Sequence, residues 1–316
     1  MSSQEATFQK FDQQLGGHDR LLSVNDGFLI VKPCNSIEKN FYENSVLYPD
    51  LAEWIPKYYG SLQLQGVQSE SSNLEAIAQN VREGISSQHA NVTGVDDILF
   101  ILWGEDADEA KRQRMTKKSR ESTSGTLGIK IVAFQVYRKS SDSFFNFGKE
   151  DGYRTTTKTI VSDLAKFFTA EIPIDHRRIV VERFIDDLES CIKIIEKQDI
   201  RLIGTSLFFV YEGDPDAFAE ALKKEQEQEH ETKICNNGYV EEEIDEEEDE
   251  EEEEEVEEDE DTDSDCEDTC KITELKIIDF AHSFFREGIG KDEGVLLGLN
   301  NTFNYFKQIL NEGKYH

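Results

Sequence analysis

Long apolar runs are missing from this chain. No stretch approaches the 18 apolar residues of a membrane-spanning helix, so no such span is expected. The opening segment, Met1 to Gln14, is polar and lacks the apolar centre of a secretory signal. Cysteine is scarce: Cys34, Cys191, Cys235, Cys266 and Cys270 are odd in number and show no paired metal spacing. Cys266 and Cys270, four apart beside a carboxylate run, are a weak sign of a zinc site, and reduced thiols in the cytosol or nucleus are the better reading. Basic side chains are also few, 34 against 67 acidic ones, for a formal net charge of −33. Such acidity argues against direct nucleic-acid binding by the chain as a whole.

The charge imbalance is local. Between Glu241 and Asp268, 23 of 28 residues are Asp or Glu, and none is Lys or Arg. Without that run, 44 acidic residues face 34 basic ones, a net of −10. The remaining sequence, with 37% hydrophobic and 10% aromatic residues across the chain, can build a sizeable core. The acidic run interrupts a folded region rather than ending it, and mutual repulsion is expected to keep it extended and solvated. The expected organisation is an N-terminal lobe over 8–64, then a polar segment at 65–97. A second lobe is built from 98–222 and 271–312, with a disordered acidic insertion at 223–270.

Within these limits the periodicities are informative. Phe28 to Val31 follows the turn signal Asn25-Asp26-Gly27 and predicts a buried strand, with a helical stretch over Ser36 to Leu47. Trp54-Ile55-Pro56 leads into a further strand ending near Leu64. The segment Gln65 to Val95, rich in Ser, Gln and Asn, reads as an insertion or mobile surface segment. Leu74, Ile77, Ala78 and Val81 would allow one helix in it. Glu105 to Arg120 predicts a charged helix, and Gly128 to Tyr137 a strand. Val181 to Gln198 predicts an amphipathic helix with Phe184, Leu188, Cys191 and Ile195 on one face. Leu202 to Tyr211 and Leu275 to Phe280 predict apolar strands, and Leu296 to Leu310 a closing helix.

Four groupings could carry chemistry. Lys32 ends an apolar strand and is followed by Glu38; a strand lysine held by a helix carboxylate is one way to grip nucleotide phosphates, and a solvated lysine is the plain alternative. Lys111, Arg112, Arg114, Lys117, Lys118 and Arg120 place six cations within ten residues, with Lys111, Arg114 and Lys118 near one helix face. They suit phosphate groups, although a solvated face or a nuclear-import signal would use the same residues. Ser122 to Gly128 is a small-residue run that lets backbone approach a ligand or simply turns. Asp279, at the end of the strand Ile277-Ile278, stands where a carboxylate can hold Mg²⁺ or cap a turn.

In this order the pieces resemble the inositol polyphosphate kinase family, and its fungal multikinases in particular. The residues that carry the resemblance are Gly17-His18-Asp19 with Gly27 to Pro33, Trp54-Ile55-Pro56-Lys57-Tyr58-Tyr59-Gly60, and Lys111-Arg112-Gln113-Arg114-Met115. To these are added Thr123 to Gly128, Ser206 to Asp214, and Ile278-Asp279-Phe280-Ala281-His282-Ser283. The resemblance implies an α+β, two-lobed kinase-like fold of the SAICAR-synthase-like type, with an antiparallel N-lobe sheet and a mixed C-lobe. It implies ATP and Mg²⁺ between the lobes and activity on inositol trisphosphate or tetrakisphosphate. Lys32 and Glu38 would serve ATP, and Asp279 the metal. Lys111, Arg112, Arg114 and Lys149 would serve the substrate phosphates.

One family motif, P-x-x-x-D-x-K-x-G, has no counterpart. Ungapped registers from either side place Val95 and Asp97, or Gly94 and Asp96, at its Asp and Lys. Three readings follow: a mis-spliced or mistranslated stretch, a relative that binds ligand but transfers phosphate poorly, or Asp96 and Asp97 in the catalytic role. The second makes the protein a scaffold or transcriptional co-regulator, its acidic tract meeting basic nuclear or transcription-regulator proteins. The expected location is nucleus and cytoplasm.

Overall fold

The computed structural model describes residues 8–10, 21–24, 29–62, 77–81, 90–98, 109–237 and 271–315. The first sheet holds β1 (Phe8–Lys10), β2 (Leu22–Val24), β3 (Leu29–Pro33), β4 (Lys57–Leu62) and β5 (Ile77–Val81). Its order is β1-β2-β3-β5-β4, with every neighbouring pair antiparallel. β-branched residues in β3 favour the pleated surface, Val31 is fully buried, and Pro33 closes the strand where no ladder donor is needed. Between Tyr58 and Ser61 the β4–β5 register shifts, and Gly60 there takes φ 121°, a left-handed conformation that favours glycine.

The polar segment supplies strands, not the helix its apolar spacing allows. Ile77–Val81 pairs with β3 on one side and β4 on the other, so it is an interior strand. Its spacing at 77, 78 and 81 matches a helix face, but hydrogen bonding on both edges decides the outcome.

A second antiparallel sheet runs β11-β10-β6-β7-β8, from β6 (Ala90–Ile98), β7 (Ala133–Arg138), β8 (Ser143–Phe147), β10 (Thr205–Glu212) and β11 (Thr273–Ile278). A two-stranded ribbon pairs β9 (Ile200–Arg201) with β12 (Phe284–Phe285). β10 lies next to β11 and β6, and its run Leu207-Phe208-Phe209-Val210-Tyr211 is the near-continuous apolar signature of a strand covered on both faces.

Helices complete the lobes: α1 (Ser36–Ser45), α2 (Pro49–Ala52), α3 (Glu109–Arg120), α4 (Ser124–Leu127), α5 (Lys149–Arg154), α6 (Ile160–Ala165), α7 (Ile174–Ile195), α8 (Pro215–Asn237) and α9 (Glu293–Asn311). α7 buries Phe184, Leu188, Cys191 and Ile195, the face its periodicity predicts, and begins earlier than expected, after Pro173. Phe184, Phe209, Phe168 and Phe306 form an aromatic centre with ring centroids 5.0–6.4 Å apart. The hydrophobic core is continuous from this centre to Phe41, Tyr42 and Trp54. Among the described residues no helix is long and apolar enough to cross a membrane.

α8 corrects another expectation. Residues 223–237, assigned from sequence to the disordered insertion, continue the helix. Lys224–Glu220 and Lys223–Glu227 pairs at i,i+4 support it, and like-charge repulsion builds up only beyond that point. Glu225 accepts a two-pronged bond from Arg183 of α7 (3.1 and 2.6 Å) and one from the Ile272 backbone N–H (3.2 Å). This clasp closes the neck of the excursion between α8 and β11. The acidic tract itself, 241–268, lies outside the described residues.

Candidate functional site

The site is assembled where the two lobes touch. The turn after α2 covers the outer edge of β11: the Ile277 backbone N–H donates to the Trp54 carbonyl at 2.6 Å, and Lys276 Nζ to the Glu53 carbonyl at 2.8 Å. Phe41 of α1 stacks on Phe280 (4.1 Å) and Phe285 (4.8 Å), which fixes α1 against the segment following β11. Asn35 strengthens the same joint. Its side-chain oxygen caps α1 by accepting from the Glu38 N–H (2.8 Å), and its amide donates to the Ala281 carbonyl (2.9 Å).

Glu38 lies at the third position of α1, on the face shared with Phe41, Tyr42 and Ser45, and is only 2% exposed. A carboxylate so buried needs partners. Its Oε1 accepts from Lys32 Nζ at 2.8 Å and from the Phe280 backbone N–H at 3.3 Å. Lys32 Nζ also donates to Asp279 Oδ1. β3, α1 and the end of β11 therefore converge on one ammonium group. Burial works to lower the Lys32 pKa, but the charges of Asp279 and Glu38 outweigh it and push the value up to about 12. Asp279 is 45% exposed and adopts φ 66°, a left-handed conformation that ends the strand and turns the carboxylate out of the ladder.

Asp96 and Asp97 reach the same end of the second sheet. Thr205 pairs with Ile98 and Leu207 with Val95, so the two aspartates form a bulge opposite Ser206. Ser206 pairs on its other side with Ile278, the residue before Asp279. The backbone of Asp96 and Asp97 is thus two strand spacings from Ile278, about 10 Å.

The remaining predicted residues lie on other elements. Lys111, Arg112 and Arg114 lie on α3; Arg114 is exposed, and the Lys111 and Arg112 side chains fall outside the described residues. α3 is held through the small-residue run: a Cβ on Gly125 would come within 2.8 Å of the Ser119 carbonyl oxygen, so the approach there needs glycine. Asn301 of α9 donates to the Leu127 carbonyl at 2.8 Å and ties α4 to α9. Lys149 is exposed at the start of α5.

The end of the Ser206–Asp214 motif is scaffold. Tyr211 Oη donates to the Phe167 carbonyl (2.6 Å), and Glu212 accepts from the Asp214 N–H (2.8 Å). Asp214 caps α8 through the N–H groups of Asp216 and Ala217, and pairs with Lys139. Sequence reasoning missed Asn35 and the Phe280 N–H. Asn35-Ser36-Ile37-Glu38 does carry a helix-start signature, a capping residue with Glu three positions on. Here the Glu side chain serves Lys32 instead of folding back on its own cap.

Two antiparallel sheets with flanking helices, joined through a strand lysine, a helix glutamate and a strand-end aspartate, define a two-lobed α+β fold of the kinase-like class. The model of the inositol polyphosphate kinase family matches residues 100–307, and the chain belongs to that family of kinases. It is 26% identical to the inositol polyphosphate multikinase of Saccharomyces cerevisiae over 356 aligned residues, covering 95% of this chain and 98% of the relative. It is 28% identical to that of Schizosaccharomyces pombe over 211 residues, 64% of this chain and 78% of the relative. The fold is similar to a crystal structure of the S. cerevisiae inositol phosphate multikinase in complex with ADP and Mn²⁺. That match has a TM-score of 0.65 at 21% identity, over 90% of this chain and all of the other.

Proposed function

We propose that this protein transfers the γ-phosphoryl group of ATP to a ring hydroxyl of inositol trisphosphate or tetrakisphosphate. The observation that carries the reading is the convergence of Lys32, Glu38 and Asp279 where the lobes meet. Lys32, kept charged by two carboxylates, neutralises nucleotide phosphate oxygens. Glu38 holds it in place from the buried side. The cations of α3, with Lys149, take the phosphates already on the ring, where arginine forks suit planar bidentate contact.

Asp279 fits a hard divalent cation: it is an oxygen donor, half exposed, at the mouth of the interlobe joint. Among the described residues no group of three or more His, Cys, Asp or Glu side chains could hold a metal by itself. An ion such as Mg²⁺ takes one or two carboxylates and completes its shell with water and nucleotide phosphates. When bound, such an ion neutralises charge developing on the transferred group. To Asp96 and Asp97, whose backbone lies at the same sheet end, we assign the orienting of the attacking hydroxyl. The hydroxyl oxygen forms the new bond to phosphorus, the bond to the ADP oxygen breaks with its electron pair staying on ADP, and the hydroxyl proton passes to one of these carboxylates and on to water. The rest of catalysis is positioning.

Incubation of the full chain with radiolabelled ATP, Mg²⁺ and each inositol phosphate, resolved by anion exchange, tests this. Product is expected, and Lys32→Ala should lower its rate about 10²–10³-fold, the loss typical of one charged transition-state stabiliser. Tight inositol phosphate binding without any transfer would instead favour a binding protein. The absence of the Asp-x-Lys motif supports that second reading, in which the acidic tract meets basic partners.

A further inference from the structure

Lys32 has two carboxylate partners of opposite character. Glu38 is sealed in the interlobe joint at 2% exposure, while Asp279 faces outward at 45%. Glu38 is also tied to the Phe280 N–H and sits on a capped helix, so it cannot follow Lys32 if the lysine moves. Asp279 Oδ1 is the atom that Lys32 touches, and the Asp279 carboxylate is the hard-oxygen donor assigned above to the metal. An ammonium group and a divalent cation compete for that carboxylate, because two like charges a few ångströms apart repel strongly even at intermediate dielectric and each weakens the other's hold.

We infer that Lys32 is an internal counter-cation for Asp279, held ready by Glu38, and that metal is admitted to Asp279 only when nucleotide phosphate draws Lys32 away. This rests on the assignment of the trio to nucleotide and metal. Glu38 is then a positioning residue. By sharing the ammonium group it weakens the hold on Asp279, and it keeps Lys32 nearby once that hold is released. The consequence is an ordered site that takes a metal–nucleotide complex but resists metal alone, although the chain carries 67 acidic residues.

Mn²⁺ binding to the full chain, followed by electron paramagnetic resonance with and without ADP, tests it without reference to turnover. Asp279→Asn, measured alone and combined with each variant, isolates the Asp279 site from weak binding along the acidic tract. Lys32→Met should tighten Asp279-dependent Mn²⁺ binding in the absence of ADP by about five- to tenfold. Glu38→Gln should weaken it, because the ammonium group then rests wholly on Asp279. Equal Mn²⁺ affinity in Lys32→Met and the unaltered chain would overturn the inference. So would an unaltered chain that binds Mn²⁺ at Asp279 as tightly without ADP as with it. If no Asp279-dependent site forms even with ADP, the assignment of the trio itself fails, which is a different result. Should Lys32→Met not fold, the lysine ammonium nitrogen resonance of the unaltered protein decides the matter. It should shift with Mg²⁺ and ADP together and stay in place with Mg²⁺ alone; a shift with Mg²⁺ alone overturns the inference.

Discussion

Asp187 shows how much one partly buried carboxylate can set a pH response. It sits on α7, where burial raises its pKa to about 6, helped by the negative charges of Asp186 and Glu53 and opposed by Arg183 and Lys271. An unfolded chain would titrate this group near 3.8. Because the folded value is the higher one, its stabilising contribution is complete below 3.8 and is lost as pH rises through about 6. At pH 7 the group is charged and costs the fold stability. Asp187→Asn is therefore expected to stabilise the protein at pH 7 by about 1–3 kcal/mol, and to be neutral or worse at pH 4. Thermal unfolding of both proteins from pH 4 to 8 checks this, the difference curve separating Asp187 from other titrating acids. A flat difference would place the carboxylate in better contact with water than its surroundings indicate.

At the scale of elements, the Glu225 clasp between α7, α8 and β11 makes its own prediction. The Arg183 and Glu225 side chains are a third and a quarter exposed, and two-pronged geometry gives such a pair more weight than a single surface contact. Glu225→Ala should cost about 1–2 kcal/mol in denaturant unfolding and speed amide exchange at Ile272, whose N–H loses its acceptor. Uniform exchange across α7, α8 and β11 would mean that the clasp does not hold the neck. Legibility also divides at this scale. α7 and α9 were readable because their apolar residues follow the helical period over many turns. β3 and β10 were readable because they are short apolar runs bounded by polar residues and turns; β11, expected at Leu275 to Phe280, runs from Thr273 to Ile278 and alternates, with Leu275 and Ile277 buried. β5 and β6 were not readable: Ile77-Ala78-Gln79-Asn80-Val81 and Ala90 to Ile98 carry polar residues at interior positions, and only their strand neighbours make them strands. The far end of α8 was hidden by its charge, which also signals an acidic insertion. Lys32, Glu38 and Asp279 were named from their places at strand ends and in the helix after β3, with the family resemblance supplying their roles; their meeting on one nitrogen, 247 residues apart in sequence for Lys32 and Asp279, is a product of topology that no local pattern displays.

For the whole molecule, the dominant fact is the distribution of charge. The 23 carboxylates between Glu241 and Asp268 account for most of the net −33, and they are tethered to the C-lobe between α8 and β11. The proposed substrates are themselves polyanions, so the tract raises the electrostatic cost of their approach wherever screening is weak. At physiological ionic strength the Debye length is about 8 Å, and at 0.01 M it is about 30 Å. Replacing residues 241–268 by a short Gly/Ser linker should therefore lower KM for inositol phosphates at low salt, by about two- to tenfold, with kcat unchanged. The difference should vanish above roughly 0.5 M salt, where the Debye length shrinks to a few ångströms. Stability should change by less than about 1 kcal/mol, since loop length enters closure entropy only logarithmically and the clasp at Glu225 remains. A KM difference that survives high salt would mean that the tract acts through contact and not through its field. Loss of a binding partner, with fold and kinetics intact, would instead support the scaffold reading, because a field that merely repels anions has no reason to retain a protein.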